Sequence, residues 1–211
     1  MTPDPTERAR ILDAAYRILA ASTGRSLSVT EVLDAAGLST RALYRHFESK
    51  DALLLALFRR DAERLNARLE AAVDAAPTPR AALVGWIEGT LQVVADPRRR
   101  ERVLVFSSEE VTRARGISAE RHRIQEVQAE ALSRIIADGL TDGSFPWAVL
   151  PADARAIRAA LGEALLEQIT GLASISPDEA AADIADFALR ALGAVREPQA
   201  QTPEEPVPAE G

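Results

Sequence analysis

The 211-residue chain contains no cysteine, which removes disulfide frameworks, thiolate metal sites and cysteine nucleophiles together. Histidine is nearly missing as well. Its two copies, His46 and His122, stand far apart, so a His-rich metal site or a Ser-His-Asp hydrolase is poorly supplied. Aromatic residues make up 4% of the chain, and no alternating apolar segment is bounded by hairpin turns, so nothing argues for β-structure. No apolar run approaches the roughly 18 residues of a membrane span, and the opening MTPDPTERAR lacks a signal peptide's apolar stretch. The expectation is a soluble, cytoplasmic protein with no membrane partner. Paired catalytic carboxylates, a P-loop, an HExxH run and a nucleotide fingerprint are also lacking, so neither an enzyme nor a bound metal or cofactor is expected.

What is present is helix-forming and unevenly charged. The net charge is −7, yet residues 1–60 carry nine basic against seven acidic residues, a local +2 that leaves −9 for the rest. A basic head on an acidic body suits a polyanionic partner for the head. Helix-start signals recur along the chain. Asp4-Pro5-Thr6-Glu7, Ser28-Val29-Thr30-Glu31 and Ser176-Pro177-Asp178-Glu179 are capping boxes, and Ser39, Ser49, Thr78, Asp96 and Ser118 stand where further N-caps are needed. Stops fall at Gly24, Gly37, before Pro77 and at Gly139, and Pro151 opens another helix. The fold class is all-α with about nine helices. The final two helices are expected over 151–173 and 177–195, after an interior loop at 139–150. Beyond Val195 the run REPQAQTPEEPVPAEG has no apolar periodicity and is expected to be disordered.

The segment SVTEVLDAAGLSTRALYRHFESK, Ser28 to Lys50, carries the clearest geometry. Two short helices, Ser28–Ala36 and Thr40–His46, meet at a tight Gly37-Leu38-Ser39 turn in which Gly37 can take a positive φ. Val32, Leu33, Ala36, Leu38, Leu43 and Phe47 are spaced to pack on Ile11, Ala15 and Ile18. That leaves Thr40, Arg41, Tyr44, Arg45 and His46 as an outward polar side, of a size that a B-DNA major groove admits.

From Ile11 onward these residues resemble the N-terminal domain of TetR-family transcriptional regulators, most closely over residues 8–58 and most specifically in the GLSxxxLYRHFxSK run, Gly37–Lys50. One departure is Leu33, where the family more often has a small Ala, and its bulk is expected to set the two helices slightly apart. The resemblance implies a three-helix helix-turn-helix DNA-binding domain over 1–48 and a helical effector-binding and dimerisation domain over 49–195, with the tail at 196–211. It also implies a homodimer that binds double-stranded operator DNA and is released by a largely apolar small-molecule effector, most simply as a repressor. The competing reading is a small all-α enzyme or carrier whose N-terminal helices serve only structure.

The expected DNA-binding residues are Ser28, Thr30, Ser39, Thr40, Arg41, Tyr44, Arg45, His46 and Lys50. Ser28 and Thr30 begin a helix beside the phosphates. Tyr44 and His46 are expected on phosphates, though Tyr44 could instead be a core aromatic. Lys50, the single lysine among 25 basic side chains, opens a helix whose macrodipole already favours an anion, so it suits a phosphate clamp. The alternative is an ordinary solvated side chain. Arg41 can present its fork to guanine O6 and N7 or bind a phosphate.

In the acidic half an effector pocket is expected around Trp86, Thr90, Phe106, Gln128 and Gln168, because amides set among apolar residues need partners. Ordinary core packing would place the same residues together. A dimer interface is expected on the last two helices through Leu161, Leu165, Leu172, Ile184 and Phe187. An intrachain core would use the same residues. The Arg98–Arg102 run reads as a solvated face.

Overall fold

The computed structural model describes residues 5–21, 26–95 and 97–194, without the side chains of 5, 97–99, 101 and 102. Among these residues the fold is all-helical, with ten helices. These are α1 (Pro5–Ala21), α2 (Val29–Ala36), α3 (Thr40–His46), α4 (Lys50–Asp74), α5 (Pro79–Ala95), α6 (Pro97–Ser107), α7 (Glu109–Arg113), α8 (Ile117–Thr141), α9 (Ala152–Thr170) and α10 (Pro177–Ala191). The caps at Asp4 and Asp96, the stop at Gly24 and the disordered tail lie outside the described residues.

Local signals account for most boundaries. Ser28, Ser39 and Ser49 each accept a hydrogen bond from the backbone N–H three residues on, at 3.3, 3.3 and 3.1 Å, which fixes the starts of α2, α3 and α4. Ser176 and Glu179 complete a reciprocal capping box at α10. Gly37 ends α2 at φ 62°, ψ 43°, a left-handed conformation that a side chain would disfavour.

Four boundaries and one short helix differ from the sequence expectation. Ser118 does not cap α8; the helix starts at Ile117 after Gly116, whose φ of 88° turns the fully buried Ile117 into the core. Gly139 does not end α8, which continues to Thr141. Its missing Cβ instead makes room for the buried Phe145 ring, which a Cβ would approach to 2.1 Å. The short α7, capped by Ser108, was not anticipated at all. At the chain's far end, α9 stops at Thr170 and α10 at Ala191, earlier than 173 and 195, because Gly171 and Gly193 take φ near 75°.

Two apolar cores result. The first gathers Ile11, Leu12, Val32, Leu43 and Phe47 from α1–α3 and the loop after α3, with Leu53, Leu54 and Leu57 of α4. It is closed by Val105, Phe106, Val111 and Ile117 from α6, α7 and the start of α8. The second is built around α5, which packs against α4, α6, α8, α9 and α10 and buries Leu83, Trp86, Ile87, Leu91 and Val94. The helix α4 contributes to both cores, with Leu69 in the second. Between them Glu120, 3% exposed, accepts hydrogen bonds from Arg59 Nε of α4 at 2.7 Å and Arg123 Nε at 2.8 Å. Burial pushes its carboxyl up, but the two arginines outweigh that and hold it below the ordinary value.

Gly139→Ala is expected to destabilise the fold by about 1–3 kcal/mol, because the Phe145 ring must leave its site. Thermal unfolding followed by circular dichroism should show a drop of several degrees, since about 2–4 °C accompanies each kcal/mol at this size.

Candidate nucleic-acid interface and ligand cavity

At 100° per residue, α3 separates into two faces. Ala42 and Leu43 point into the first core, whereas Thr40, Arg41, Tyr44 and Arg45 lie on the outside, with Tyr44 60% exposed. Tyr44 is therefore not a core aromatic. Arg41 is exposed and makes no ion pair or hydrogen bond among the described residues, so its guanidinium is free for an incoming partner. Thr30 is exposed and Ser28 half-buried at the neighbouring end of α2, while Ser39 is exposed and engaged as the N-cap of α3.

His46 departs from the expected arrangement. Its side chain is 1% exposed, with Nε2 3.1 Å from Glu7 Oε2 on α1. The same angular rule explains this: four residues after Ala42 and three after Leu43, position 46 returns to the buried face. The periodicity alone would have placed it there. Arg45 Nη2 lies 3.2 Å from the same Glu7 oxygen, so both basic residues at the end of α3 tie it to α1. Nearby, the Arg8 guanidinium stacks 5.3 Å from the Phe47 ring centroid.

Lys50 also has a partner that sequence did not suggest. Its ammonium pairs with Glu110 of α7 and donates to Ser26 Oγ at 2.6 Å. Glu110 further accepts from the Leu27 backbone N–H at 2.8 Å and from Ser26 Oγ at 2.9 Å. One carboxylate on α7 thus gathers the segment before α2 and the first turn of α4. Burial pushes the Glu110 carboxyl up, but the bonds from Lys50, Leu27 and Ser26 outweigh it and leave the group below its ordinary value. No motif in the sequence around Glu110 announces this, because its partners are more than 55 residues away in the chain.

About two turns along α4 from Lys50, at Phe58, a cavity of about 310 Å³ opens between α4, α5, α8 and α9. Its apolar wall is Phe58, Trp86, Ile124, Leu161 and Leu165. Its polar lining is Thr90, Gln125, Gln128, Arg121 and Arg158. Of the residues expected there, Trp86, Thr90 and Gln128 line the space directly. Phe106 stands behind it, edge-on to Phe58 at 5.7 Å between centroids. Gln168 lies elsewhere and donates to the Ile175 carbonyl at 2.8 Å. Thr90 is satisfied by the Trp86 carbonyl at 2.8 Å, and the Gln128 amide reaches Asn66 Oδ1 of α4 at 3.3 Å. Sequence reading missed Arg121 and Arg158, because an arginine on a helix full of charges carries no periodic signal.

The expected interface residues divide. Leu161 is buried and Leu165 and Ile184 are half-buried, all within or against the second core. Leu172 and Phe187 stand 79% and 50% exposed, and Leu166 at 52% adds a third large apolar side chain on α9.

Residues 11–57 match the family model described as bacterial regulatory proteins, tetR family. An 87-residue stretch is 36% identical to an uncharacterized HTH-type transcriptional regulator of Mycobacterium tuberculosis, covering 41% of this chain and 43% of that protein. In fold the chain is similar to a TetR transcription regulator from Haloarcula marismortui, with a TM-score of 0.74 and 19% identity over 86% of this chain and 96% of that one. It is also similar to the FadR regulator of Bacillus subtilis, solved in complex with stearoyl-CoA, with a TM-score of 0.68 and 16% identity over 87% and 98% of the two chains.

Glu110→Gln is expected to cost about 1–3 kcal/mol and to speed amide exchange at Leu27, because a charge-assisted acceptor is lost. With its folded pKa depressed below the ordinary 4.5, the Glu110 contribution is fully present above that value and is lost as pH falls through the folded pKa. Hydrogen exchange, after correction for its intrinsic pH dependence, should therefore show Leu27 protection falling in acid in the native protein and a flatter pH response in Glu110→Gln.

Proposed function

The chain belongs to the tetR family of bacterial regulatory proteins through its residues 11–57, and from that premise we propose that it is a homodimeric, ligand-responsive transcriptional regulator acting in the cytoplasm, a repressor that an effector releases from its operator. The observation that carries this reading is the outward face of α3, where Arg41, Thr40 and Tyr44 stand exposed on a helix capped by Ser39 and backed by a buried core. A helix so presented enters the major groove with its N-terminal residues at base edges. Arg41 is the base reader, and Ser28, Thr30 and Tyr44 position the phosphates. Lys50 reaches phosphate by exchanging its Glu110 partner.

Support for a dimer is the run of exposed apolar side chains on and just after the last two helices, Leu166, Leu172, Ile175 and Phe187. Two copies are also what a two-fold operator requires. Support for an effector is the cavity beside Phe58 of α4 and the ligand held by the FadR regulator of Bacillus subtilis. Its 25 residues carry α4 roughly 38 Å from Lys50 beside α3 to the second core. An occupant pressing on Phe58 shifts this helix and the separation of the two α3 helices, which operators hold near 34–36 Å or a multiple of it.

The direct test is an electrophoretic shift of fragments from the protein's own promoter region; a purified protein that shifts none of them overturns the reading. Arg41→Ala should cost about 1–3 kcal/mol, concentrated at one base pair per half-site, whereas a uniform loss across sequences would make Arg41 a backbone contact. Phe187→Glu should leave the helical content intact and convert the dimer to monomers in analytical ultracentrifugation, with loss of operator affinity. An unchanged dimer would move the interface away from α10.

A further inference from the structure

The acidic body contains a cavity whose lining has the opposite sign. Arg121 from α8 and Arg158 from α9 both face it, and no aspartate or glutamate lines it. Neither arginine has a carboxylate partner among the described residues. Arg121 is the more telling of the two. Its guanidinium lies 4.9 Å over the Phe58 ring, and Nη2 donates to the Phe106 carbonyl at 2.6 Å. Its Nε is buried and has no hydrogen-bond partner. Proteins rarely leave a buried donor unpaired, and a charged donor least of all. Burial also pushes this guanidinium below its ordinary value, which records the solvation that no anion has replaced.

We propose that the cavity between α4, α5, α8 and α9 binds an amphipathic anion, its carboxylate or phosphate head taken by Arg121 and Arg158 and its apolar body lying along Phe58, Trp86 and Leu161. This rests on the effector reading above and narrows it from an apolar molecule to an anionic one. A volume of about 310 Å³ sets a small ligand, at the lower end of the roughly 300–1,000 Å³ usual for such sites. The head group has leverage as well as affinity. Arg121 joins α8 to Phe58 on α4 and to the last turn of α6, so an anion at Nε acts on two helices that also build the core under the DNA-facing helix.

Trp86 lines the cavity and is 2% exposed, so its fluorescence reports occupancy once the exposed Trp147 is replaced by Phe. The full chain carrying Trp147→Phe is titrated with octanoate, octyl phosphate and octanol, all below their aggregation limits. Saturable quenching by one or both anions, at least tenfold tighter than by octanol, is the expected result, and the tighter anion names the head. Equal response to octanol, or no saturable response to either anion, overturns the proposal. Arg158→Gln and Arg121→Gln should each reduce the anion preference about tenfold, the loss of one charge-assisted pair; a preference that survives both also overturns it. If Arg121→Gln unfolds because α6 loses its tie, Arg158→Gln and the anion-to-alcohol comparison decide. Promoter-fragment shifts run on the same preparation separate the two readings: DNA binding without anion preference removes the effector class alone, and anion preference without DNA binding removes the regulator alone.

Discussion

The three N-terminal helices do not close a core by themselves. Ile11, Leu12, Val32, Leu43 and Phe47 share one buried cluster with Leu53, Leu54 and Leu57 of α4 and with Val105, Phe106, Val111 and Ile117 from α6, α7 and α8. Apolar surface left open there would face water at roughly 25 cal/mol for each Å², so the N-terminal helices and the later ones share one packing problem. α3 rests on α1 and α2, and the later helices reach that core through α1 and α4. Packed interiors shift between discrete arrangements rather than deforming smoothly, which is what a movement at one end needs in order to be felt at the other.

Ion pairs reinforce the same boundary and redistribute the basic charge of the head. Glu7 takes Arg45 and faces His46, Asp13 takes Arg60 at 2.7 Å, Glu110 takes Lys50, and Glu120 takes Arg59. Arg10 donates to the Ala36 carbonyl at the end of α2, where a cation also meets the negative end of the helix. A count of basic residues in the first sixty overstates the positive charge offered to a partner, and Arg41 is left as the free cation on α3.

The cavity follows an opposite logic. Around α3 carboxylates find arginines, whereas the arginines lining the cavity find no carboxylates among the described residues. Arg121 spends its hydrogen bond on a backbone carbonyl and its face on Phe58, which fixes the guanidinium in place without neutralising it. A positioned, unneutralised charge thus stands at the junction of α4, α6 and α8, between the cavity and the core beneath α3.

Serine caps, the Gly37 turn and the apolar stripes were legible in the sequence because each acts within a few residues of itself, through a single backbone hydrogen bond or a 3.6-residue period. The helix-turn-helix and the all-helical class follow from such local rules. His46 obeyed the helical period too, and its burial was readable from Ala42 and Leu43. What the chain did not announce is every feature made by distant partners: Gly139 kept inside α8 by the Phe145 ring, Lys50 turned toward Glu110, and Arg121 brought to Phe58 and Phe106. Local free energy chose the helices. Only their packing decided which charges are paired, because burial and electrostatic partnership exist only once segments far apart in the chain share one low-dielectric neighbourhood.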